Sequence, residues 1–125
     1  MIFKENKPIY LQIADRIMDE ILNNTYPEGE RIPSVREYAA TVEVNANTVV
    51  KSFDYLQSDE IIFNKRGLGY FVAEGAVQKI LSNRKKTFIN DELPEMFVKL
   101  KQLDISMNEV QTMFRDWLKM QKQQS

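Results

Sequence analysis

The chain has 125 residues, 43% hydrophobic and 28% charged, enough for one folded domain or one small domain with an appendage. It contains no cysteine and no histidine, which removes disulfides, thiolate chemistry, the usual zinc ligands and the commonest general base. Net charge is −1, but residues 1–75 hold eight basic against twelve acidic side chains and residues 76–125 nine against six, so any polyanion bound by the first part must meet a locally basic face.

The opening "MIFKENKPIY" has no apolar leader pattern, and no apolar run approaches the ~20 residues of a membrane span. The expectation is a cytoplasmic protein. A first helix starts at Pro8, whose missing N–H suits a first turn. It carries Ile9, Ile13, Ile17 and Ile21 on one face, with Ala14, Met18 and Leu22 beside them. "YPEGER" at 26–31 is a turn.

Ser34 and Glu37 form a capping-box pattern that opens a short second helix with Val35, Tyr38, Ala39 and Val42 on its apolar stripe. A brief turn, Val42-Glu43-Val44, leads to Asn45 as the next N-cap, and a third helix with Val49, Phe53 and Leu56 inward runs to about Ser58. "IIFNKRGLGYFV" at 61–72 then changes period: two short strands flank a glycine-bearing loop, which reads as a hairpin. Three helices and a two-stranded hairpin make a winged helix-turn-helix, mainly α with a small β wing, expected over 1–75.

Residues 76–125 return to helical period as a helical arm. Leu93, Phe97, Leu100 and Leu103 share one face, with Met96 beside them; Pro94 must end or kink what precedes it unless Asp91 caps a new helix there. Ser106 and Glu109 form a second capping box, followed by Val110, Met113, Phe114, Trp117 and Leu118 at helical spacing, and a polar tail expected to fray. Two short helices have little to bury these stripes against within one chain. The expectation is a two-fold homodimer whose interface holds Leu93, Phe97, Leu100, Leu103, Val110, Met113, Phe114 and Trp117.

In a helix-turn-helix the second helix presents its first turn to the major groove. Asn45 is read as the cap, with Asn47, Thr48 and Lys51 facing outward; an amide matches adenine N6 and N7, and a threonine offers a hydroxyl and a methyl. The competing reading makes them ordinary caps and surface residues. Arg36, in the preceding helix, can fork onto a phosphate or a guanine edge, or form a surface salt bridge. Lys65 and Arg66 lie beside Gly67 and Gly69, where a glycine-bearing tip can approach a backbone closely, or simply make a solvated turn. Arg84-Lys85-Lys86 reads as a solvated basic face. Asp59-Glu60 and Asp91-Glu92 look like solvated helix ends, Ser34 and Ser106 are caps, and Gly67-Leu68-Gly69 lacks the strand and helix a dinucleotide loop needs. No enzyme, cofactor or metal is expected.

"PIYLQIADRI", "RIPSVREYA", "VEVNANTVVKSFDYL" and "RGLGYFV" together resemble the GntR family of bacterial transcription regulators over roughly residues 8–72, and the asparagine pair with the short arm resembles its YtrA-type branch. The resemblance implies a dimeric DNA binder that reads a near-palindromic operator, most simply as a repressor. It implies that the Pro-Ser-x-Arg arginine is Arg36, the recognition-helix start Asn45 to Thr48 with Lys51 outward, and the wing glycine Gly67. Ala46 stands where many members carry arginine or proline, so the family's usual operator is not implied. The branch uses its short arm for dimerisation, and the large ligand domain of other members has no counterpart here. The rival expectation is a winged helix that binds protein and never touches DNA; a small-molecule effector is left open.

Overall fold

The computed structural model describes residues 6–124, which form two compact units divided between Asn83 and Arg84. The first unit begins with α1 (Ile9–Leu22), α2 (Val35–Val42) and α3 (Ala46–Ser58). It continues with β1 (Ile62–Lys65), β2 (Gly69–Val72) and the start of α4 (Ala76–Thr87). The element order is that of a winged helix-turn-helix, as expected from the sequence.

The periodicity of α1 explains its place. Ile13, Ile17 and Ile21 are sealed from solvent and face Val49, Phe53 and Leu56 of α3 in one core, while Ile9 stays exposed. Tyr38 of α2 closes that core: its ring meets Phe53 at 6.5 Å, and Phe53 meets Tyr70 of the wing edge-on at 4.9 Å. The Tyr38 hydroxyl donates to Glu20 Oε1 at 2.5 Å, so the polar tip of this buried ring has a partner. Burial, then the Glu20 carboxylate, pushes the Tyr38 phenol far above its ordinary range, and it stays neutral. Ser52, also fully buried, donates to the Tyr10 carbonyl at 2.7 Å and ties α3 to the first turn of α1.

The wing pairs Ile62 with Val72, Phe63 with Phe71, Asn64 with Tyr70 and Lys65 with Gly69. Gly67, at φ +81°, makes the reversal in the loop. A third edge comes from the turn after α1. Gly29 N donates to Val72 O, Val72 N to Glu30 O, and Ile32 N to Tyr70 O, at 2.8–2.9 Å. Arg31 and Phe71 form an isolated antiparallel bridge beside the two-stranded sheet.

The first unit extends past the boundary expected at residue 75. Ala76 and Ile80 are buried in the same core as α1 and α3. Glu28 also grips the start of α4, its two carboxylate oxygens accepting Gly75 N at 2.9 Å and Val77 N at 3.0 Å. Lys79 donates to Glu60 at 2.9 Å. A helix N-terminus has unpaired N–H groups and a partial positive charge, and a carboxylate from a distant turn satisfies both.

In the second unit, a π-helical turn (Phe88–Glu92) is followed by α5 (Leu93–Gln102) and α6 (Met107–Gln124). Pro94 neither breaks the chain's helical path nor follows a cap at Asp91. Glu92, not Asp91, precedes α5, with helical dihedrals and no side-chain cap, and Pro94 sits in the first turn of α5. Proline lacks the N–H of the regular i→i−4 bond, and the widened turn just before it accommodates that loss. Ser106 and Glu109 do form a capping box, at 2.8 and 3.2 Å. α6 includes the polar tail as far as Gln124. No helix of the described residues is long and apolar enough to cross a membrane.

Backbone N–H groups hold the Glu28 and Glu37 carboxyls below their ordinary 4.5, and the Lys79 ammonium does the same for Glu60. A lowered folded-state pKa gives stability that is complete above 4.5 and is lost as pH falls through the lowered values. Melting temperature should therefore be flat from pH 7 to about pH 5.5 on this account and fall below pH 4.5. Glu28→Gln should melt lower at neutral pH and lose part of that acid dependence, as read by circular dichroism.

Candidate nucleic-acid interface

The helix-turn-helix is set by two caps. Ser34 Oγ accepts Glu37 N, and Glu37 Oε1 accepts Ser34 N, both at 3.1 Å, which fixes where α2 begins. Glu43 ends it at φ +57°, in the left-handed region, so the chain reverses within the few residues before α3. Asn45 then caps α3: its Oδ1 accepts Asn47 N at 2.8 Å. With Val49, Ser52, Phe53 and Leu56 turned into the core, helical geometry leaves Asn47 and Lys51 one turn apart on the outer face.

The expected contact residues fall on three elements. Arg36 is exposed in the first turn of α2. Asn45, Asn47 and Lys51 are exposed at and after the start of α3, and Thr48 is half-buried. Lys65 ends β1, and Arg66 and Gly67 form the exposed loop. Among the described residues, none of Arg36, Lys51, Lys65 or Arg66 forms an ion pair with a carboxylate. The surface salt bridge that competed for Arg36 is therefore not made. Asn45 spends its oxygen on the helix, while the Asn47 side-chain amide has no hydrogen-bonded partner among the described residues.

Lys65 is placed differently from a bare loop cation. Phe63 and Phe71 stack across the wing at 5.8 Å, and the Lys65 ammonium lies over both rings, 5.8 and 4.8 Å from their centres. Arg31, which the sequence placed in an ordinary turn, sits beside this pair. Its Nη2 lies 4.0 Å from Glu37 Oε1. Its guanidinium passes so close to Gly69 that a Cβ there would stand 3.0 Å from Nε. Arg31 thus links the wing to the first turn of α2. The only signal for it in the sequence is alternation, with Ile32 inward and Arg31 outward, and that becomes readable once the pairing with β2 is known.

The sequence model of "Bacterial regulatory proteins, gntR family" matches residues 9–72, from the start of α1 to the end of β2. The chain belongs to the gntR family. It is 36% identical over 109 residues to the HTH-type transcriptional regulator YhcF of Bacillus subtilis, covering 86% of this chain and 88% of that one. To the HTH-type transcriptional repressor YtrA of the same organism it is 32% identical over 95 residues, 76% of this chain and 72% of the relative. A crystal structure of a GntR-family transcriptional regulator from Bacteroides thetaiotaomicron superposes with a TM-score of 0.83 at 54% identity, over 90% of this chain and 98% of that one. The winged helix-turn-helix is that of a DNA-binding transcription regulator of the YtrA-type branch, and a wing that binds only protein has no support from these relatives.

Capping and outward reach separate the two asparagines. Asn45→Ala removes an acceptor from a helix N-terminus and should lower unfolding free energy by about 1 kcal/mol. Asn47→Ala leaves its backbone N–H in place and should change it little, as measured by urea denaturation. Equal losses would mean that the Asn47 side chain also serves the fold.

Proposed function

We propose that this regulator works as a homodimeric repressor in the cytoplasm, acting by binding a near-palindromic operator rather than by catalysis. The observation that carries the reading is the first turn of α3: an asparagine used as cap, a second with its amide unused, and an outward lysine one turn on. In this reading Asn47 reads a base edge and Thr48 contacts phosphate or base. Arg36 and Lys51 bind phosphate or a guanine edge, and Arg66, Lys65 and Gly67 bring the wing onto the backbone. Asn45 acts mainly through the helix it caps.

The second unit supports the dimer. None of its described residues is buried in the single chain. Phe97, Leu103, Met113, Phe114 and Trp117 are exposed, by 48 to 69% of their surface, while Leu93, Leu100 and Val110 are half-covered. Phe114 and Trp117 stack at 6.2 Å into one flat aromatic patch. A monomer seldom leaves such a patch in water, and a second copy of the same helices would cover it. The YtrA relative is named a repressor, which favours repression over activation here.

Selection of bound duplexes from random DNA tests the reading. The selected sequences should be near-palindromic. Arg36→Ala should cost roughly 1–3 kcal/mol of binding to them with the melting temperature unchanged. Asn47→Ala should relax preference at one position in each half-site, also by about 1–3 kcal/mol. A uniform loss on every sequence would make Asn47 a backbone contact instead.

A further inference from the structure

We propose that Arg31 is a further DNA-binding residue, one that grips a backbone phosphate at the seam between the wing and the first turn of α2. The inference rests on the reading of this face as the one that meets DNA.

Strand geometry decides where the side chain points. Segment 29–32 pairs with β2, so its side chains alternate. Ile32 turns into the core and is 2% exposed. Arg31 therefore shares the outer face with its opposite partner Phe71, with Phe63 across from that, and with Lys65 two residues further along β1. At the next outward position on β2 stands Gly69, with no side chain. The Arg31 guanidinium lies across that gap and reaches the start of α2.

The charge there is weakly held. Glu37 Oε1 is 4.0 Å from Nη2, beyond hydrogen-bond length, and that same oxygen already accepts the Ser34 N–H. Both side chains are more than half exposed, at 57 and 64%, where an ion pair contributes little. Lys65, in contrast, rests its ammonium on two aromatic rings. Arg31 can leave Glu37 at small cost, and a phosphate offers its planar fork two acceptor oxygens in place of one distant carboxylate oxygen. Arg31 projects from beside the wing sheet rather than from the first turn of α3, so the contact assigned to it is with the sugar-phosphate backbone and not with a base edge. Phosphate contacts fix register without reading sequence.

The test uses the full chain, a duplex it selects from random DNA, and an unrelated duplex of equal length, each titrated at several salt concentrations. Arg31→Ala should weaken both duplexes by the same factor and make the salt dependence shallower by roughly one unit per occupied half-site. Arg31→Lys, which keeps the charge, should recover the slope. Should Arg31→Ala melt lower than the parent, Arg31→Gln, which keeps the stem, is read in the same way. An unchanged slope in the neutral variant overturns the inference while leaving the DNA-facing role of this surface intact. Loss confined to the selected duplex also overturns it, since that is the mark of a base contact. A parent chain without any salt slope would instead sink the reading of the face itself.

Discussion

An acidic body has to hold a polyanion, and that constraint orders most of what the structure does. Residues 1–75 carry more carboxylates than cations. Long-range attraction to DNA is therefore weak, and binding depends on where the few cations sit and on what holds them. Two of the carboxylates are occupied by backbone: Glu28 by the start of α4 and Glu37 by Ser34. Among the described residues, Arg36, Lys51 and Arg66 are left exposed and unpaired with acids, and Arg31 is bound only loosely to Glu37. Using Glu28 and Glu37 as helix caps anchors the fold and leaves Glu37 only a loose hold on Arg31, while Lys7, Arg16 and Lys79 are paired with Asp15, Glu20 and Glu60.

Cations placed on separate elements act together only if the elements are held rigidly. Tyr38, Phe53 and Tyr70 connect α2, α3 and the wing through the core, and Ser52 fixes α3 against α1 with a buried hydrogen bond. The Glu28 clamp extends the same unit to the first turns of α4. A single half-site built this way still offers few charges. Joining two half-sites makes the second contact intramolecular and raises affinity without any new interaction. The apolar faces of α5 and α6 have that role in the proposed dimer.

The helices and the wing were legible in the sequence because each carries a local signal: a four-residue isoleucine repeat in α1, capping patterns at Ser34, Asn45 and Ser106, and a change of period at Ile61. The gntR-type pattern was legible for the same reason. What stayed hidden depends on contacts far apart in sequence. Nothing near Ala76 announces that it packs in the core of the winged unit, because the partners that bury it and the Glu28 clamp come from earlier elements. Asp91 has the chemistry of a cap, but the chain keeps helical dihedrals through Glu92 and widens into a π turn before Pro94. Arg31 looks like a turn residue until its strand pairs with Phe71. Lys65 looks like a loop-tip cation until the ring stack beneath it is seen.

The most direct test of the central claim is the stoichiometry and spacing of the complex on selected DNA. Sedimentation of the full chain with a selected duplex, combined with hydroxyl-radical footprinting, should show two chains per duplex. It should also show two protected blocks about one helical turn apart, ~34 Å, or a multiple of it. Trp117→Ala should shift the free protein toward monomer and weaken the complex. A single chain per duplex that binds with undiminished affinity and protects one block would contradict the account.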